Sequence, residues 1–301
     1  MRNLVFILAI ILLSCETTVD PRLPDNGSGL VIYSFFRPGS ALKIDVFNTI
    51  PILQTETIQR NKDLKIRLLE NGEFVEEVTA NAQGVYVSNV VPSVENSYSF
   101  ETTRGVQIFS ATSHIPEPVS IARAQMSSEI EYINSGQYGY PAEIVLADPR
   151  EATNFYSLEV LVQNCSSGCT DDDLTGNLNE VLVEELKVNT SGNTDVEIGN
   201  GPGEIDGLKY IYFSDEGFNG ESVTLKFFII PTLINLNKDQ NIKFVLKSIP
   251  QEYYEYLRTS DFQRELEEDG SLTEPVQIAT NITNGLGTFS GYSFSLYTIK
   301  H

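Results

Sequence analysis

Tryptophan is absent from this 301-residue chain, and histidine occurs only twice, as His114 and His301. The first absence removes the Cys–Trp–Cys core of antibody-type domains. The second leaves any serine or cysteine nucleophile with a choice of two bases. His114 lies near Ser110, Thr112 and Ser113, but no G-x-S-x-G accompanies it, so a solvated linker histidine is the better reading. Positive charge is scarce too: 20 Lys and Arg against 41 Asp and Glu give a formal charge of −21. No basic patch interleaves with aromatics, which argues against nucleic acid and anionic lipid faces as partners. Past the N-terminal segment no apolar run approaches eighteen residues, and no strong internal repeat appears.

What is present begins with Leu4 to Leu13, an apolar run behind a single cation, Arg2. Ten helical residues reach about 15 Å, half of a bilayer core of about 30 Å, so the run reads as a secretory signal and not a span. It ends on Leu12-Leu13-Ser14-Cys15, which resembles the bacterial lipoprotein box; Cys15 is then the acylated N-terminus and residues 1–14 the signal peptide. Their removal takes away one cation and no acid, moving −21 to −22. Each buried CH₂ contributes about 0.8 kcal/mol, so several acyl chains hold far more firmly than one. Residues 15–28, polar and carrying Pro21 and Pro24, read as a tether.

With Cys15 assigned, two cysteines remain, Cys165 and Cys169 in NCSSGCTDDD. An even remainder in an exported chain favours a disulfide between them. Free thiols stay open, as does a metal held with Asp171, Asp172 and Asp173, although no histidine lies nearby to complete a zinc set.

From Gly29 to about residue 115 short strands alternate with turns. LVIYSFF and ALKIDVF are rich in β-branched and aromatic residues. In DLKIRLLENGEFVEEV, Leu64, Ile66 and Leu68 alternate with Lys65 and Arg67, and Asn71-Gly72 suits a tight turn. A second hairpin is expected to turn near Arg104-Gly105. The pattern predicts an immunoglobulin- or fibronectin-like β-sandwich over 29–115, alike in architecture only. Pro116 and Pro118 mark a boundary. Residues 116–301 are expected to form a larger β-rich domain with strands AEIVLAD, FYSLEVLVQN, LKYIYFS, SVTLKFFII, NIKFVLKSI and SFSLYTI. Its one helix is predicted near 250–268, with Ser248 and Gln251 as a capping box and Tyr253 or Tyr254, Leu257 and Leu266 on one face. Residues 189–207, rich in Gly and Asn, read as a long surface loop.

Catalytic signals are weak. GNGPGE has the glycines of a phosphate cradle but not its G-K-[ST] ending. Carboxylate pairs are unavoidable among 41 acids, and no spacing singles one out. Asp171 to Asp173 and the Asp215-Glu216 turn lack the alternating ligands of a calcium loop and read as solvated acids. No cofactor, metal or enzymatic activity is expected. The segment Asn281–Tyr292 carries Gly285, Gly287 and Gly291, which imply unusual backbone angles or close approach beside a strand. A structural crossover is the plainer reading of it; a ligand or partner segment including Asn281, Asn284, Gly285, Gly287, Phe289 and Tyr292 is the sharper one.

The lipobox, LVIYSFF, FSDEGFNGES, SIPQEYYEYLRTSDFQ and NITNGLGTFSGY stand in that order. Together they resemble the Bacteroidota lipoprotein family known as domain of unknown function 4249, over nearly all of residues 15–301. No catalytic residues carry over from that family. The resemblance implies an outer-membrane lipoprotein working beside a TonB-dependent receptor. The expectation is therefore a lipid-anchored, non-catalytic binding or accessory protein, at the cell surface rather than the periplasmic face. Glu16 and Asp20 fit the acidic surface-export signal only loosely. The alternatives are a structural or adhesion protein of the envelope and, less favoured, a carboxylate or metal hydrolase.

Overall fold

The structure is a computed structural model that describes residues 29–50, 57–133, 136–150, 152–165, 169, 174, 178–180, 183–189, 198–202, 209–232, 234–235, 239–268 and 276–300. The described elements are mainly strands. In chain order they are β1 (Leu30–Phe36), β2 (Lys43–Asn48), β3 (Lys65–Glu70), β4 (Glu73–Thr79), β5 (Val85–Val87), β6 (Ser97–Arg104) and β7 (Gln107–His114). Next come β8 (Ile121–Met126), β9 (Glu131–Tyr132), β10 (Tyr138–Ala147), β11 (Phe155–Asn164), β12 (Leu178–Glu180), β13 (Val183–Asn189) and β14 (Ile198–Pro202). The rest are β15 (Lys209–Ser214), β16 (Ser222–Ile229), β17 (Gln240–Ile249), the helix α1 (Gln251–Glu268), β18 (Leu286–Gly291) and β19 (Ser293–Lys300).

The first sandwich packs the sheet β18-β1-β2-β5 against β4-β3-β6-β7. Alternation decides which side chains meet: Leu30, Ile32 and Phe36 from β1, Ile66 and Leu68 from β3, Phe100 from β6 and Phe109 from β7 share one core. At the β3–β4 turn Asn71 and Gly72 both take positive φ (52° and 83°), the geometry a two-residue hairpin needs. Isolated bridges Ala80↔Tyr86 and Ser110↔Thr283 bring the sheet edges together. Tyr86 and Tyr98 are fully buried yet satisfied. The Tyr86 hydroxyl donates to the Asn61 carbonyl at 3.2 Å, and that of Tyr98 donates to Glu70 Oε1 at 2.7 Å.

One strand amends the linear division at residues 115 and 116. β18 lies far along the chain, inside the expected second domain, yet it pairs parallel to β1, from Val31↔Leu286 to Phe36↔Gly291. Ile282 and Phe289 sit in the first core, with Phe289 against Phe36 and Phe100 at 4.8 and 5.1 Å between ring centroids. The first sandwich is thus completed from the C-terminal end.

The second sandwich packs β13-β16-β10-β8 against β14-β15-β11-β17-β19, with β9 extending β10 and β12 extending β11. Its core joins Ile144 and Leu146, Leu158, Val160 and Val162, Leu225 and Phe227, and Ile242, Phe244 and Leu246. Residues 198–202, expected in a loop, form β14 and pair with β15 from Ile198↔Phe213 to Pro202↔Lys209. The phosphate-cradle glycines Gly199 and Gly201 therefore sit in a strand. A neighbouring strand supplies the hydrogen bonds there, which outweighs the poor strand preference of glycine.

Helix α1 packs on sheets, as expected, and lies between the two sandwiches. Tyr253, Tyr254 and Leu257 are buried, with Phe35 of β1 on one side (4.8 Å to Tyr253) and Phe155 and Tyr212 on the other (4.9 and 5.7 Å to Tyr254). Leu266 is only partly buried. Ser248 is not its cap: it belongs to β17, and its hydroxyl accepts from the Val119 amide at 3.1 Å. The first turn closes on the Pro250 carbonyl, which accepts from Tyr253 and Tyr254. No helix among the described residues is long and apolar enough to cross a membrane.

Candidate functional site

Cys15 and the acids Asp171, Asp172 and Asp173 lie outside the described residues. Cys165 and Cys169 are joined by a disulfide, with Cα atoms 5.0 Å apart, just past the end of β11. The Asp215–Glu216 turn is not simply solvated. The Asp215 side chain is buried, its Oδ2 accepting from the Asn154 amide (2.9 Å) and the Asn154 side chain (3.2 Å). Asp148 accepts from the Tyr156 hydroxyl and, at 2.8 Å, from the Gly220 amide. Burial raises the carboxyl pKa of both and that of the Tyr156 hydroxyl. These acids staple loops at one end of the second sandwich. Among the described residues no three His, Cys, Asp or Glu come together as a metal-holding group.

The C-terminal glycine segment does come together, as a crossover. Asn281 pins its backbone, accepting from the Phe289 amide (3.0 Å) and donating to the Phe289 carbonyl (2.7 Å). Asn284, at φ 60°, donates to the Ile108 carbonyl at 2.9 Å. Gly287 has φ 99°, and a Cβ there would run into the Ile32 carbonyl oxygen across the β1–β18 pairing. At Gly285 a Cβ would stand 2.9 Å from Ile282 and 3.2 Å from the Leu30 carbonyl. Phe289 is fully buried. All five are turned toward the protein's own backbone and core.

Tyr292, the sixth residue, leads into a polar junction between the sandwiches. Its ring faces the Lys247 ammonium at 5.0 Å and Tyr253 at 6.4 Å. Lys247 forms a buried ion pair with Glu159 of the adjacent strand, the side chains being 10% and 12% exposed. Burial alone would lower the Lys247 pKa, but the Glu159 charge, followed by Tyr253 and Tyr292, outweighs it and holds the ammonium well above its usual range. Ser113 ties the same region together, donating to Glu252 at 2.5 Å and accepting from the Gly291 amide at 3.1 Å. The junction is closed and its Lys247–Glu159 charges are paired, while the buried Ser293 hydroxyl beside Tyr292 has no hydrogen-bond partner among the described residues.

An open feature among the described residues lies elsewhere, on the outward face of the second sandwich. A groove of about 500 Å³ runs over β8, β10 and β16, lined by Gln125, Met126, Ser127, Pro141, Glu143, Lys226 and Phe228 among others. Register aligns Gln125, Glu143 and Lys226 in one row across three strands, with Pro141 and Phe228 opposite each other two positions along. Side-chain alternation explains the lining. In β16, Val223, Leu225, Phe227 and Ile229 point into the core, which turns Lys226 and Phe228 outward. Glu143 is held as an acceptor by Arg123 (3.0 Å) and Gln125 (2.8 Å). Sequence reasoning missed this site. The available signal was Phe227-Phe228, since two adjacent aromatics in an alternating strand put one ring outside.

Comparison with family models finds one match, a domain of unknown function, DUF4249, over residues 16–297. No curated protein matches the chain. Among solved structures, a protein from Corynebacterium diphtheriae described as membrane anchored overlaps at 11% identity with a TM-score of 0.22. That overlap covers 86% of this chain, which spans 59% of the other. The yeast delta-COP-I mu-homology domain, complexed with a Dsl1 WxWxV peptide, overlaps at 10% identity and a TM-score of 0.21, covering 89% of this chain and 93% of that one. Overlaps this loose carry nothing about function.

Proposed function

The chain belongs to the DUF4249 family, and we propose that it is a lipid-anchored, non-catalytic binding protein of the bacterial envelope, an accessory to a TonB-dependent outer-membrane transporter. The observation that carries binding is the groove of about 500 Å³, a preformed concavity with apolar and polar walls in the size range of ligand sites. The Leu12-Leu13-Ser14-Cys15 segment supports the anchor, and the family resemblance supports the outer-membrane address. Resemblance to lipoproteins of this family supports the transporter as partner. Tethering confines the chain to the plane of its partner, where a high effective concentration lets a modest interface be occupied.

The test is crosslinking and pull-down of the full chain from native outer membranes, alongside Cys15→Ala. One dominant TonB-dependent receptor, captured with wild type and lost with the unanchored variant, is the expected result. Capture of no receptor, together with normal solute uptake in a deletion strain, overturns the accessory role and favours a structural protein of the envelope.

A further inference from the structure

The groove is lined by one acid, Glu143, and one cation, Lys226. Of the cations beside it, Arg123 is paired with Glu143, which also accepts from Gln125. Lys226 lines the groove, is exposed, and makes no hydrogen bond or ion pair among the described residues. On β13, Lys187 stands at the backbone position opposite Lys226, and Glu184 at the position opposite Phe228. Arg123 and Gln125 thus engage the one acid of the lining, Glu143, and leave the Lys226 ammonium as the lining charge without a partner among the described residues. This happens in a chain of formal charge −21. Near physiological ionic strength charges more than about 8 Å away are screened, so the adjacent Lys226 ammonium outweighs the distant acids for anything seated in the groove.

Beside that charge the lining is apolar: Phe228, Pro141 and Met126. We propose that the groove takes a small amphiphilic anion, its apolar body on Phe228 and Pro141 and its carboxylate or sulfonate at the Lys226 ammonium. A volume of about 500 Å³ fits a small molecule, not the face of a macromolecule. This assignment rests on the reading of the groove as the protein's binding site, and adds the ligand's charge class.

The experiment uses two probes that share a ring system and differ in charge, 8-anilinonaphthalene-1-sulfonate and neutral N-phenyl-1-naphthylamine. Equilibrium dialysis of the full chain against protein-free micelles of the same detergent cancels partition into detergent. Lys226→Gln is expected to weaken the sulfonate by about threefold, the scale of an exposed ion pair, and to leave the neutral probe unchanged. Raising salt should remove the difference. Phe228→Ala, and more mildly Phe228→Leu, should weaken both probes, while Lys43→Gln on the first sandwich moves neither. If Lys226→Gln changes both probes equally or neither, the anion assignment fails while the groove stands. If correctly folded Phe228 variants bind both probes as wild type does, the groove itself is not the site.

Discussion

The two sandwiches treat charge in opposite ways. In the first, the ion pairs sit outside: Arg67–Glu101 joins directly opposed positions of β3 and β6, with side chains 52% and 45% exposed. In the second, Lys243, Lys247, Asp148 and Asp215 are all buried. The two acids hold end loops, whereas for Lys247 the cause is architectural. One face of each sheet meets its own partner sheet, but the outer face of β11-β17 near Glu159 and Lys247 is also covered, by Tyr253 of α1 and by Tyr292 between β18 and β19. Residues that alternation turns outward are therefore enclosed. A buried pair adds little net stability over an apolar one, because desolvation consumes most of the attraction, yet breaking it is costly. The first sandwich holds by packing and closure; the second adds polar groups that tolerate one arrangement.

The largest expected effect attacks closure. Gly287→Val sets a β-branched residue at φ 99° with its Cβ against the Ile32 carbonyl, which the β1–β18 pairing cannot absorb. The cost should exceed about 4 kcal/mol, the exceptional end of single substitutions. Hydrogen exchange read by mass spectrometry should show lost protection in β1 and β2, with β11 and β17 protected as before. Unchanged protection of β1 would mean that the first sandwich does not need its distant strand.

Why this closure escaped sequence reading is instructive. The turns at Asn71-Gly72 and Arg104-Gly105, and the strands they join, were legible because alternation and turn residues act over a few positions. A parallel pairing between Val31 and Leu286 leaves no such local mark. The glycines of 285–291 showed that backbones approach closely there, but not which backbone. Similarly, NIKFVLKSI shows Lys243 and Lys247 off the core face; only the tertiary arrangement shows that this face is covered. The groove left a trace in Phe228, which alternation puts on the face opposite its core neighbour Phe227.

The next effect attacks the buried pair. Lys247→Met leaves the Glu159 carboxylate enclosed without its cation and should cost about 3–5 kcal/mol. Adding Glu159→Gln should recover most of that loss, a coupling readable in a double-mutant cycle of urea unfolding. The raised Lys247 pKa gives the pH sense. Its stabilising contribution is fully present below the ordinary lysine value of 10.5 and is lost as pH climbs from there through the higher folded value. A loss that the second substitution fails to recover would show that Lys247 acts through packing against Tyr292 and not through charge.

The smallest effect is the same chemistry at the surface of the first sandwich. Arg67 donates to Glu101 Oε2 at 2.9 Å, and its guanidinium also lies 5.4 Å from the Phe74 ring. Both partners remain half in water, so the Coulomb gain is screened and ordering two long side chains offsets part of it. Arg67→Met should therefore cost only about 0.5 kcal/mol at low ionic strength. High salt should erase the ionic part, leaving the small contribution of the stem and the Phe74 contact. Measured beside Lys247→Met in the same buffers, it separates burial from ion pairing as the source of the difference. A salt-insensitive loss as large as that at Lys247 would mean that burial is not what sets the two sandwiches apart.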